Sequence, residues 1–165
     1  MTLSIMRKTL PTPPSSSSPR IAHDVSLAIV CSSYYEDLIA SMEETARRIL
    51  LAAGARTELL RTIYAPGAFE LPLACQHLAE KDSVDGIIAF GVIVQGETHH
   101  AAEIARGCTD GIMQVQLAHS VPIVHAVLFV DSLAQARARC LGKANKGGEA
   151  ARTLIQMLAL LAEMP

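Results

Sequence analysis

The chain has 165 residues, half of them hydrophobic, and a formal net charge of −2 at pH 7. This length suits one domain with a substantial core, and the near-neutral charge argues against nucleic acid as the main partner. Charged residues or histidines interrupt every apolar stretch before it reaches the length of a membrane span, so no membrane association is expected.

The first 22 residues have the composition of a flexible arm. They contain four prolines, Pro11, Pro13, Pro14 and Pro19, around the serine run 15–18. Such a segment cannot bury enough apolar surface to order by itself, and it lacks the features of a secretory signal. We predict an arm over residues 1–22, either a short transit peptide or a tail that orders on a neighbouring subunit, and a single α/β domain over 23–165.

Beyond the arm, apolar patterns alternate between strand and helix. Strands are predicted at 26–31, 57–64, 86–94 and 123–130, and helices at 36–53, 71–81, 99–120, 132–139 and 148–163. The alternation predicts a flavodoxin-like three-layer α/β sandwich, with a four-stranded parallel sheet in the order 2-1-3-4 and helices on both faces. Ligands of such folds bind beyond the carboxyl ends of the strands.

The most informative motif joins the third strand to the helix after it. The apolar run 91–94 is followed by Gly96, Thr98, His99 and His100. A helix start offers unpaired N–H groups and a positive dipole end, which suit a phosphate, and imidazole exchanges protons near neutral pH. We expect Gly96 to permit an unusual backbone and Thr98 to cap the helix. The motif predicts chemistry on a phosphorylated small molecule.

A metal site at this turn is a weaker alternative. Adjacent His99 and His100 would point about 100° apart on a helix and would chelate a metal poorly. His100 and Glu103 have an i, i+3 spacing that metal sites sometimes use, but the chain offers no second set of this kind. We therefore do not expect a metal at this turn. A solvated or capping role for a helix-start histidine stays open.

Three other segments are candidates for the same site, and the first two fall at the same edge of the predicted sheet. Tyr34 could stack on a planar ring or plug the sheet edge. The turn 66–72 could approach a ligand closely through Gly67 or be an ordinary connection. Basic residues lie near glycines over 137–148, and they could bind a phosphate or form a solvated loop. The four cysteines match no zinc pattern and are expected to be small core residues of a protein in a reducing compartment.

Four strings closely resemble the 6,7-dimethyl-8-ribityllumazine synthase family of riboflavin biosynthesis. They are PGAFELP at 66–72, GVIVQGETHH at 91–100, GIMQVQL at 111–117 and NKGGEAA at 145–151. The resemblance covers about residues 24–163. It implies an enzyme that joins 5-amino-6-(D-ribitylamino)uracil to 3,4-dihydroxy-2-butanone 4-phosphate, releasing phosphate and water without a cofactor.

The resemblance also implies roles for particular residues. His100, rather than His99, falls on the proton-transfer histidine of the family. The butanone phosphate would be held by Glu97, Thr98 and Arg139, with the arginine supplied by an adjacent subunit. The pyrimidine would be bound by Tyr34, Ala68, Phe69, Glu70, Val92, Ile93, Val94 and His125. Pentamers or multiples of pentamers, a partnership with riboflavin synthase and a cytoplasmic location are further implications.

The chain departs from the family at several of these positions. His125 stands where a phenylalanine usually covers the pyrimidine, Ala101 replaces an aromatic residue, and Ser33 and Tyr35 replace an arginine and an asparagine. One residue is missing between Arg139 and Asn145. The departures leave two alternatives open: a catalytically weak paralogue that binds flavin or lumazine or forms a shell, and an unrelated phosphate-binding protein of flavodoxin-like fold.

Overall fold

In the computed structural model, which describes residues 19–81 and 84–165, four parallel strands alternate with helices. The strands are β1 (Leu27–Ser32), β2 (Leu60–Ala65), β3 (Gly86–Val94) and β4 (Ile123–Val130). The helices of eight or more residues are α1 (Glu36–Ala52), α2 (Leu71–Glu80), α3 (His100–His119), α4 (Leu133–Cys140) and α5 (Lys146–Glu163). The sheet order β2-β1-β3-β4 confirms the predicted flavodoxin-like α/β fold.

The two central strands are buried on both faces, as expected of a parallel sheet covered by helices. All six residues of β1 are buried. On β1, Leu27 and Ile29 face the layer formed by α1, α4 and α5, whereas Ala28 and Val30 face the layer of α2 and α3. Phe90 on β3 is fully buried in the first layer. Two hydrophobic cores therefore fix the sheet between the helical layers.

The second strand begins later than the sequence predicts. Residues 57–59 form a single 3-10 turn, and pairing starts with Leu60 opposite Leu27. Because β1 begins only at Leu27, residues 57–59 have no strand residue opposite them. These residues form a local turn instead, in which the Leu59 N–H donates to the Arg56 carbonyl at 3.1 Å.

The predicted arm, residues 1–22, lies mostly outside the described residues. Near its end, Ile21 is buried against the core, and its N–H donates to the Ala53 carbonyl at 2.9 Å. This contact lies beside Gly54, whose φ of +111° ends α1 in a conformation that favours glycine. Across residues 19–81 and 84–165, no helix is both long and apolar enough to cross a membrane.

The four cysteines are free and buried, which confirms that they are core residues. Burial raises the pKa of Cys31 and of Cys75 to about 12. Because the thiolate is the reactive form, these thiols stay protonated and unreactive at neutral pH.

Candidate active site

A cleft of about 780 Å³ opens at the carboxyl ends of β1, β2 and β3. Nine of the predicted site residues line it: Tyr34, Ala68, Phe69, Glu70, Val92, Ile93, Val94, Thr98 and His100. Six further lining residues were not among the predicted site residues: Tyr35, Gly67, Gly96, Ala101, Glu103 and Ile104. The sequence could have indicated these residues. Four of them are next to a predicted residue, and Glu103 and Ile104 follow His100 on the same face of α3.

The loop after β1 carries Tyr34 to the mouth of the cleft. Ser33 anchors this loop to the end of β2, because its N–H and hydroxyl donate to the Ala65 carbonyl at 3.0 and 2.9 Å. Tyr34 is 67% exposed. A Cβ on Gly67 would lie 3.6 Å from the Tyr34 ring and 2.9 Å from Glu70 Oε2. The glycine therefore lets an aromatic ring and a carboxylate share one wall.

Tyr35 has a strained backbone at the start of α1. Its φ of 56° and ψ of 51° place it in the left-handed region, which bulky residues rarely occupy. The strain is held in place by α1, since the Tyr35 carbonyl accepts from the N–H groups of Leu38 and Ile39 at 2.9 and 3.0 Å. Asparagine, the residue that the resemblance implies at this position, tolerates this conformation better.

We expect Tyr35→Asn to be more stable than Tyr35→Ala by about 1 kcal/mol, because only asparagine relieves the left-handed strain. Both substitutions remove the aromatic ring, so the difference between their free energies of unfolding reports the strain of the left-handed backbone. Urea unfolding of the two variants measures it. An alanine variant at least as stable as the asparagine variant would contradict the assignment of strain.

Glycines of α3 bring the turn after β2 close to that helix. A Cβ on Gly107 would lie 2.8 Å from the Phe69 ring, and one on Gly111 would lie 2.8 Å from the Pro72 side chain. Phe69 therefore lies against the surface of α3 while 59% of the residue remains exposed. This packing explains the glycine of the GIMQVQL string and presents Phe69 and Glu70 beside His100 in one cleft.

The turn that begins α3 differs in detail from its prediction. The helix starts at His100, and the residue before it, His99, makes no side-chain capping hydrogen bond. Thr98 is thus not the N-cap. Gly96 does not have a positive φ, and nothing lies within 4 Å of where its Cβ would be. The turn presents His100 to the cleft, whereas Glu97 and His99 are exposed and do not line it.

His125 lies outside this cleft, on the edge strand β4 opposite Ala89. It lines a second cavity of about 510 Å³ together with Lys146 and Glu149. Its Nε2 is 3.0 Å from the Thr109 hydroxyl, which donates its one hydrogen to the Ala105 carbonyl at 2.9 Å. The hydroxyl must therefore accept, so Nε2 carries a proton.

Desolvation of the ring lowers the pKa of His125, against an opposing hydrogen bond with its own backbone. As the pH falls below about 6.5, the His125 side chain takes up a proton more readily in the unfolded chain than in the folded one. Protonation of His125 therefore lowers the free energy of unfolding below that pH and leaves it unaffected above that pH. We expect His125→Gln, which does not titrate, to gain thermal stability relative to the parent chain as the pH is lowered from about 8 to about 5.

The Tm difference between parent and variant at each pH is the measurement. The exposed His77 on α2 supplies the control substitution His77→Gln. A difference for His125→Gln that does not change with pH would contradict the expectation.

Arg139 also lies apart from the cleft. It is exposed on α4, and its Nη1 donates to the Gln135 carbonyl at 3.3 Å. No residue of α4 lines the cleft. A single chain therefore joins the aromatic wall and His100, but it does not bring the predicted arginine to them.

The glycines of the NKGGEAA string have a packing role rather than a ligand-binding one. α5 begins at Lys146, two residues before the predicted start, and Gly147 and Gly148 are buried. Asn145 caps the helix, accepting from the Gly147 N–H at 2.8 Å, while its Nδ2 donates to the Ser41 carbonyl at 3.1 Å. The Asn145 side chain thereby connects the start of α5 to α1.

Within the described ranges, no group of three or more His, Cys, Asp and Glu side chains is arranged to hold a metal ion. The polar groups of the cleft are instead two carboxylates, a threonine hydroxyl, two tyrosine hydroxyls and an imidazole. Such groups can bind a polar organic molecule and move protons. Together, fold and cleft define a parallel α/β protein with a substrate-sized site at the carboxyl edge of its sheet.

Comparison with known proteins identifies the family. Residues 24–162 match the 6,7-dimethyl-8-ribityllumazine synthase family. A protein of Paracidovorax citrulli (strain AAC00-1), named 6,7-dimethyl-8-ribityllumazine synthase, is 38% identical over 138 residues, covering 84% of this chain and 88% of that protein. The chain belongs to the 6,7-dimethyl-8-ribityllumazine synthase family. This excludes an unrelated phosphate-binding protein of the same fold.

Proposed function

We propose that this chain condenses 5-amino-6-(D-ribitylamino)uracil with 3,4-dihydroxy-2-butanone 4-phosphate to give 6,7-dimethyl-8-ribityllumazine, phosphate and water. The observation that carries the proposal is the meeting of Tyr34, Glu70 and His100 in one cleft of a lumazine synthase family member. The cleft combines an aromatic wall, a carboxylate and a proton-transfer group, which are the features that this reaction requires.

The pyrimidine substrate fits the wall formed by Tyr34, Phe69 and the end of β3. Both aromatic residues are more than half exposed, so their rings are available to a planar substrate. The Glu70 carboxylate can accept hydrogen bonds from hydroxyl or N–H groups of this substrate. Residues 92–94 supply apolar contact and backbone polar groups at the floor.

The phosphorylated substrate fits the start of α3. The first N–H groups of a helix have no partner within the helix, and His99 does not cap them with its side chain. The backbone of Glu97 and Thr98 adds N–H donors before the helix. The open space beside Gly96 leaves room for an anion to approach this backbone.

The chemistry requires proton transfers but no protein nucleophile, since an amine of the pyrimidine attacks the ketone. His100 takes up and releases protons as the amine adds, water and phosphate leave and the ring closes. Imidazole is the side chain best suited to both accept and donate a proton near neutral pH. The cleft contributes further by orienting the two substrates, an effect that can lower a barrier by several kcal/mol.

The site is completed by a neighbouring subunit in this proposal. Arg139 and His125 lie outside the cleft of their own chain, so both would act on the cleft of an adjacent copy. The guanidinium of Arg139 would bind the phosphate in a bidentate manner. We expect the chain to form pentamers or multiples of pentamers. We expect it in the cytoplasm, because its substrates are small soluble metabolites. Riboflavin synthase is the expected recipient of the product.

The test is to incubate the purified protein with both substrates and to follow the lumazine chromophore. Formation of the chromophore only when both substrates are present is the expected result. Tight binding of lumazine or riboflavin without turnover would instead support a binding or shell protein.

A further inference from the structure

Gln95 connects the turn before α3 to the ends of two strands. Its N–H donates to the Val130 carbonyl at 2.8 Å. Its side-chain Nε2 donates to the Gly96 and Thr98 carbonyls at 2.8 and 2.9 Å. Both neighbours are carbonyl oxygens, which only accept, so the amide must present its NH₂ group to them. One side chain thus fixes two peptide groups of the turn.

Holding these two carbonyls also fixes the direction of two N–H groups. In a planar trans peptide, the carbonyl and the N–H point in opposite directions. The Gly96 carbonyl shares its peptide with the N–H of Glu97, and the Thr98 carbonyl shares its peptide with the N–H of His99. Both N–H groups are therefore directed away from the Gln95 amide, and both carbonyl oxygens are kept from an approaching anion.

We propose that Gln95 is a positioning residue for the phosphate of the butanone substrate. It does not line the cleft itself. It acts through the backbone of residues 96–99, which it holds in the orientation that a phosphate requires before the substrate arrives. This inference rests on the proposed function for the identity of the substrate, but its central claim concerns phosphate binding and can be tested without turnover.

Two neutral substitutions separate the donors of the side chain from its size. Gln95→Met has a side chain of similar length but no hydrogen-bond donor. Gln95→Asn keeps the amide donors on a shorter stem. Neither substitution adds a charge that would itself attract or repel phosphate. We expect Gln95→Met to raise the Kd for inorganic phosphate about tenfold, which corresponds to about 1.4 kcal/mol, and Gln95→Asn to retain part of the affinity.

Titration calorimetry with inorganic phosphate is the primary measurement, followed by the KM for each substrate. In Gln95→Met the KM for the butanone phosphate should rise by a similar factor while that for the pyrimidine stays within about twofold. Unchanged phosphate affinity, a parent protein that binds no phosphate, or an equal rise in both KM values would overturn the inference. A parent protein that binds phosphate but forms no lumazine would contradict the proposed function alone.

Discussion

Replacing His100 by alanine is expected to lower kcat for lumazine formation about 10²–10⁴-fold, the usual contribution of a positioned general acid and base. His100 is the imidazole that lines the cleft, on the first residue of α3. The aromatic wall and the start of α3 remain in the variant, so the KM for the pyrimidine should change little. Steady-state kinetics with both substrates measures the two parameters.

His99→Ala is the matched control, because it removes the same side chain one residue away. His99 is exposed and does not line the cleft, and we expect its variant to retain nearly full turnover. Full turnover by His100→Ala, or equal losses in the two variants, would contradict the role given to His100.

Gly147→Ala is expected to destabilise the fold by more than about 3 kcal/mol, at the upper end of overpacking effects. A Cβ at this position would lie 2.0 Å from the Met42 carbonyl oxygen. The obstacle is backbone in the middle of α1, so α1 and α5 would have to separate, and Asn145 would lose its contact with Ser41. The shift of the midpoint in urea unfolding gives the free energy.

Gly148→Ala tests whether this effect depends on position. There the Cβ would lie 3.3 Å from Ile49 Cδ1 and at least 3.4 Å from atoms of the flexible Arg152 side chain. We expect a change within about 1 kcal/mol, since alanine is also the better helix former. Similar losses for both alanine variants would show that helix geometry, rather than the Met42 contact, decides the result.

The strands and their order could be predicted because burial on two faces leaves a strong pattern. β1 and β3 appear as uninterrupted apolar runs, and short connections to helices permit few topologies besides a parallel sheet. The start of β2 could not be predicted in this way. Thr57 to Leu59 have suitable composition, but only the position of Leu27 on β1 decides where pairing begins.

The cleft could be predicted where one chain supplies it. Tyr34, Glu70 and His100 each follow a strand, and the carboxyl ends of parallel strands share one edge. The roles of Gly147 and Gly148 were not visible, because a glycine beside a lysine looks the same whether it faces a phosphate or another helix. Gln95 was missed since its two hydrogen bonds depend on the conformation of the turn.

Complementation between two inactive variants tests most directly whether adjacent subunits share the site. His100→Ala and Arg139→Ala would be assayed separately and after co-assembly in equal amounts. In a ring where each site takes His100 from one chain and Arg139 from the next, about one site in four carries both residues. We predict recovery to about a quarter of the parent activity. Activity no higher than the mean of the two separate variants would show that each chain acts alone and would contradict the shared site.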